Sequence, residues 1–123
     1  MSTPIEVISG SERESNATPQ TAGMVREQAF AADDRWVGFV RAEPGQWGGW
    51  HHHGEHDTYL YVLKGALEFE VEGANVVQIK PNDFVHVPAG VVHRERAAGP
   101  DEGQVVLFRM GSGPPVVNVE APA

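Results

Sequence analysis

The sequence predicts an all-β domain, a sandwich or a barrel. Short runs of alternating or β-branched residues recur from Arg35 to Met110. Clusters of Gly, Pro, Asn and Asp divide them, as expected of many short strands joined by turns. One run, ALEFEVE at 66–72, alternates without a break.

Each segment can be justified in turn. Residues 1–23 are rich in Ser, Thr, Pro, Gly and Glu and read as an N-terminal arm or flexible segment. MVREQAFAA, 24–32, fits a short helix or an edge strand equally well. RWVGFVRA, 35–42, is a strand stopped by Pro44-Gly45. TYLYVLK, 58–64, is aromatic and β-branched and ends at Gly65. In 66–72, Leu67, Phe69 and Val71 share one face, and Glu68, Glu70 and Glu72 share the other, solvated one. Gly73-Ala74-Asn75 turns the chain into VVQIK, 76–80, its hairpin partner. A second turn at Pro81-Asn82-Asp83 leads into FVHVP, 84–88. VVHRER, 91–96, and QVVLFRM, 104–110, complete the set, separated by Gly99-Pro100-Asp101. The barrel is expected over 24–112, with 113–123 an extended tail carrying Pro114, Pro115 and Pro122.

The bulk numbers bound the function. A chain of 123 residues suits one domain with a core of useful size. It has no cysteine, which removes disulfides and thiolate metal sites and fits a reducing cytoplasm. A formal net charge of −8 argues against nucleic acid and anionic membrane surfaces as partners. No apolar run approaches the ~20 residues of a membrane span. The start, MSTPIEVISGSERES, has neither a basic nor an apolar stretch of a signal peptide. The expected location is the cytoplasm.

The chemistry is concentrated in GQWGGWHHHGEHDTYLYVLKG, 45–65, which holds four of the six histidines. The cluster is internal, so it is not a tag. Residues i and i+2 of a strand share a face, so His51 and His53 point together and His52 points away. His93 lies in PAGVVHRER, where Pro88 and Gly90 set a tight turn that can bring a third imidazole against the first two. Three neutral imidazoles on strands form a rigid platform for a divalent metal. The competing reading is core packing, in which a buried neutral histidine has one hydrogen-bond partner. That is the reading preferred for His86. Tyr59 to Leu63 read as core, and Trp47 and Trp50 as closing the site or packing in an interface. Arg94 and Arg96 read as salt-bridge partners rather than as a grip on an anionic substrate.

Residues 45–65 resemble the first motif of the cupin superfamily, G-x5-H-x-H-x3,4-E-x6-G, through Gly45, His51, His53 and Gly65. Residues 82–97 resemble its second motif, G-x5-P-x-G-x2-H-x3-N, through Pro88, Gly90 and His93, with Asp83 where an aspartate is frequent. The resemblance implies a small single-domain cupin. Its fold would be a double-stranded β-helix, or jelly roll, of two antiparallel sheets. His51, His53 and His93 would be metal ligands. Asn82 replaces a glycine, which an αL-tolerant residue can do in a turn, and Ala97 replaces the final asparagine. The departure that bears on chemistry is Thr58, which stands where the family has its glutamate ligand. Asp57 and Thr58 are candidates for a fourth ligand, although Asp57 points to the other face of a regular strand. A three-histidine site completed by water is expected.

The resemblance implies one divalent transition metal per chain, iron, zinc, manganese or nickel. With three neutral ligands the metal keeps its full charge and attracts oxygenated, chelating compounds. Iron would suit a dioxygenase-type reaction on a small oxygenated organic compound. Zinc would lower the pKa of bound water to about 7 and suit an isomerase, cyclase or lyase. His56, Asp57 and Glu55 are the candidates for acid or base. A non-catalytic, ligand-binding cupin is the alternative of a different class. Cupins of this size are commonly homodimers, and Met24–Phe30 is a candidate for a strand exchanged with a partner.

Overall fold

The structure, a computed structural model, describes residues 4–122. The first three residues of the predicted arm and the last of the predicted tail lie outside the described residues. Among the described residues ten strands form: β1 (Met24–Ala32), β2 (Arg35–Ala42), β3 (His51–His52), β4 (Asp57–Lys64), β5 (Leu67–Val71), β6 (Val76–Ile79), β7 (Phe84–Val87), β8 (His93–Ala97), β9 (Gly103–Met110) and β10 (Val117–Asn118). One sheet has the order β1-β2-β9-β4-β7 and the other β10-β3-β8-β5-β6, all neighbours antiparallel. This is the expected jelly roll. Among the described residues the one helical element is the 3-10 turn Gly10–Glu12, and no helix is long and apolar enough to cross a membrane.

Period-two alternation decides what each sheet buries. Leu60 and Val62 of β4 and Val105 and Leu107 of β9 face Leu67 and Phe69 of β5 and Ile79 of β6. The segment 24–32, open between helix and strand in the sequence, is an edge strand paired with β2 of the same chain. Its free edge is partly covered from within the arm: Glu14 and Gln28 exchange backbone hydrogen bonds of 3.0 and 2.8 Å.

Two backbone positions carry the packing. Asn82 adopts φ +79°, the left-handed conformation expected at this turn, and its Oδ1 accepts from Tyr61 Oη at 2.6 Å. Gly38 lies under the Trp36 indole, where a Cβ would meet both the ring and the carbonyl oxygen of Glu27. Only glycine leaves room for the ring there.

Candidate metal centre

β3 and β8 are neighbours in register, with His51 opposite His93. His53 follows β3 on the same face as His51, and all three imidazoles are buried. Their ring centroids are 5.1 Å (His51–His53), 4.4 Å (His51–His93) and 5.2 Å (His53–His93) apart. One nitrogen from each ring lies within 4.8 Å of the others.

The backbone selects which nitrogen is free. Each Nδ1–H donates to a carbonyl at 2.9 Å: His51 to Gly49, His53 to Pro115 and His93 to Val91. This fixes one tautomer in all three rings and leaves Nε2 as the coordinating atom. The His51 Nε2 is buried with no hydrogen-bond partner. A divalent metal fits this donor set, since it would satisfy an otherwise unpaired nitrogen.

Burial keeps the His51 and His53 rings neutral, as coordination requires. It pushes His51 down to about 4, with the charges of His93 and Arg26 acting the same way and Glu95 opposing. His53 is pushed down further by burial, then by the Arg109 charge. Below an unfolded value of 6.5 the unfolded chain binds protons that the folded chain refuses. Stability of the metal-free protein is therefore expected to fall as pH drops from 6.5 towards 4. Each such histidine contributes a slope approaching about 1.4 kcal/mol per pH unit. Urea unfolding of chelated protein at pH 7 and pH 5 measures this. Equal stability at the two values would contradict it.

The other sequence candidates are distributed differently. Thr58 faces inward, is buried, and its Oγ1 has no partner. Asp57 is directed outward, 3.0 Å from His86 Nε2, and accepts from the Ala89 N–H at 3.3 Å. Glu55 is exposed near Ser112. His56 is buried, but its Nε2 donates to the Gly113 carbonyl at 3.0 Å, apart from the three-histidine cluster. His52 faces away and accepts from the Gly54 N–H. His86 corrects the buried reading: its side chain is 44% exposed and stacks on Tyr59, with rings 9° from parallel. On β7, Val85 and Val87 take the inner face, so His86 takes the outer one. Arg94 and Arg96 are salt-bridged to Glu70 and Glu68, and both lie over Trp47.

Three inward-facing charged residues had no place in the sequence reading. Glu95 follows His93 by two on β8, and its Oε2 lies 3.4 Å from His93 Nε2. Burial would raise its pKa, but His93 beside it and the Arg26 guanidinium hold it down at about 2. From the opposite sheet come Arg26 of β1 and Arg109 of β9, both buried. The i, i+2 rule places all three inside once the strands are registered. Beside His93 lies a cavity of ≈ 130 Å³, lined by apolar side chains that include Phe69, Ile79, Val85, Val87 and Val91.

Comparison with known proteins agrees with this arrangement. Residues 38–109 match the profile of the cupin domain family. The chain is a cupin. Polyketide synthase CurC of Streptomyces cyaneus is 26% identical over 110 residues, 86% of this chain and 66% of that protein. Quercetin 2,3-dioxygenase of Bacillus subtilis (strain 168) is 39% identical over 46 residues, 37% of this chain and 13% of that protein. The cupin described here thus spans less than two thirds of the length of either relative. Among solved structures, an uncharacterized conserved protein with a double-stranded β-helix domain from Klebsiella pneumoniae subsp. pneumoniae MGH 78578 superposes with a TM-score of 0.72. It is 22% identical, and the alignment covers 98% of this chain and 100% of that one.

Proposed function

We propose that this cupin is a metal-dependent enzyme of dioxygenase type. It acts on a small oxygenated organic compound through His51, His53 and His93. The observation that carries the reading is the shared tautomer: three buried Nδ1–H groups donate to backbone carbonyls, and three Nε2 atoms are left to converge. Packing alone does not require this of every ring. When bound, a divalent metal supplies Lewis acidity, and as iron it supplies reactivity with O2. The chain does the rest. The carbonyls of Gly49, Val91 and Pro115 orient the imidazoles. The cavity beside His93 takes the apolar part of the substrate and keeps water from it. Glu95 Oε2, buried without a hydrogen-bond partner, is placed to accept a proton from the bound compound.

Glu95 also favours a second reading, a cyclase, isomerase or lyase in which proton transfer at that carboxylate is the central step. The two separate by experiment. Protein reconstituted with Fe(II) or with Zn(II) is offered catechol-type acids, diketones and polyphenols, with O2 uptake and product mass followed. O2 consumption with iron, and both atoms of labelled O2 in the product, is the expected result. Turnover with zinc and no O2 uptake would establish the second reading. No turnover with any metal would leave a ligand-binding cupin.

We also propose that the chain is a homodimer. Tyr59, Phe84, Phe108 and Met110 are exposed large apolar side chains on the outer face of one sheet, a pattern that marks interaction surfaces. Sedimentation at micromolar concentration is expected to give the mass of two chains. The mass of one chain would contradict this.

A further inference from the structure

Arg26 and Arg109 are among the largest fully buried side chains, and neither has a salt-bridge partner among the described residues. Arg26 Nη1 donates to Thr21 Oγ1 at 2.8 Å and to the Pro19 carbonyl at 3.3 Å. Its Nε and Nη2 have no partner, and neither do Nε and Nη1 of Arg109. Among the described residues, Glu95 is the carboxylate whose charge acts on both, and its Oε2 has no hydrogen-bond partner. Burial pushes Arg26 down to about 10 and Arg109 to about 9, so both stay cationic at neutral pH. Two buried guanidiniums with one buried carboxylate leave the interior positive. Such an arrangement is costly unless something of opposite charge enters it.

The register shows where that group would lie. Val87, Thr58 and Arg109 are consecutive neighbours across β7, β4 and β9. Val87 lines the apolar cavity and Arg109 stands two strands away, about 10 Å at the usual strand spacing. Thr58, between them, turns an unpartnered hydroxyl inward. We propose that Arg109 forms an anion-binding subsite, with Arg26 adding positive charge from the far edge strand of the same sheet, and that the substrate is an organic carboxylate. Its charged end meets the Arg109 guanidinium and its apolar body extends towards the cavity beside His93. Planar guanidiniums suit a carboxylate because two parallel N–H donors match its two oxygens. The subsite rests on the functional reading above for its role in turnover, but not for its existence.

The probe is benzoate, with isosteric neutral benzamide as control. Full-length protein is titrated calorimetrically, as purified and after chelation. Benzoate is expected to bind at least tenfold more tightly than benzamide and to keep that preference without metal. Arg109→Met is expected to lose at least tenfold in benzoate affinity, with the unliganded melting temperature unchanged or raised, because it removes an unneutralised buried charge. A purely structural arginine would instead lower that temperature. If Arg109→Met does not fold, Arg109→Lys keeps the charge but loses the planar fork, and a several-fold loss for benzoate alone is expected. Equal affinity for the two probes, or benzoate affinity unchanged in the variants, overturns the proposal. Because chelated protein is tested, the subsite can stand if the metal reading fails, and fail if it stands.

Discussion

His93→Ala is expected to abolish metal binding and any turnover that depends on it. His93 is the hinge of the cluster: it pairs in register with His51 across β3 and β8, and its Nδ1 is fixed by the Val91 carbonyl. Removing it leaves two imidazoles and takes away the ring that lies 3.4 Å from the Glu95 carboxylate. Losing a residue that merely orients a ligand typically costs 10–100-fold in affinity, so losing the ligand should exceed ~100-fold. His52→Ala is the control, since His52 faces away from the cluster and should leave affinity intact. Calorimetric titration with Zn(II) measures both, and circular dichroism of the chelated variants reports folding separately. A His93→Ala variant that binds metal like the parent would contradict the assignment.

Trp36→Ala is expected to have the largest effect on stability. The indole is 3% exposed and lies over Gly38. Its Nε1–H donates to Gln28 Oε1 at 2.9 Å, and the Arg109 guanidinium sits 5.0 Å from the ring centroid. Truncation opens a cavity, strands the Gln28 acceptor and removes a face from a buried cation. Core Trp→Ala changes cost about 3–5 kcal/mol, which for a domain of this size lowers the melting temperature by roughly 10–20 °C. Thermal unfolding followed by near-ultraviolet circular dichroism measures it. A drop of only a degree or two would show that Trp36 is not the packed element its surroundings indicate.

The strands were legible because their faces differ. Leu67, Phe69 and Val71 against Glu68, Glu70 and Glu72 leave little choice of orientation, and the turns at Asn82 and Gly90 bound their strands. The three histidines were legible for the same reason, through alternation at 51 and 53 and a fixed turn before 93. MVREQAFAA was not legible as a strand, because its edge pairing comes from β2 and from Glu14, not from its own periodicity. Glu95, Arg26 and Arg109 escaped notice because charge normally marks an outer face. Alternation alone puts Glu95 with His93, and Arg94 and Arg96 outside, but that inference needs the strand to be trusted over the charge. His86 erred in the opposite direction: one histidine among valines reads as core until the register assigns the inner face to Val85 and Val87. Thr58 holds the inward position at which the family has its glutamate, and the carboxylate beside the cluster comes from β8 instead.

The most direct test is the metal content of tag-free protein, with iron, zinc, manganese and nickel counted per chain by mass spectrometry. The expected result is close to one equivalent of a single transition metal, removed by chelation and restored on readdition. Protein that carries none, and takes up none after anaerobic reconstitution with each metal, would contradict the three-histidine centre.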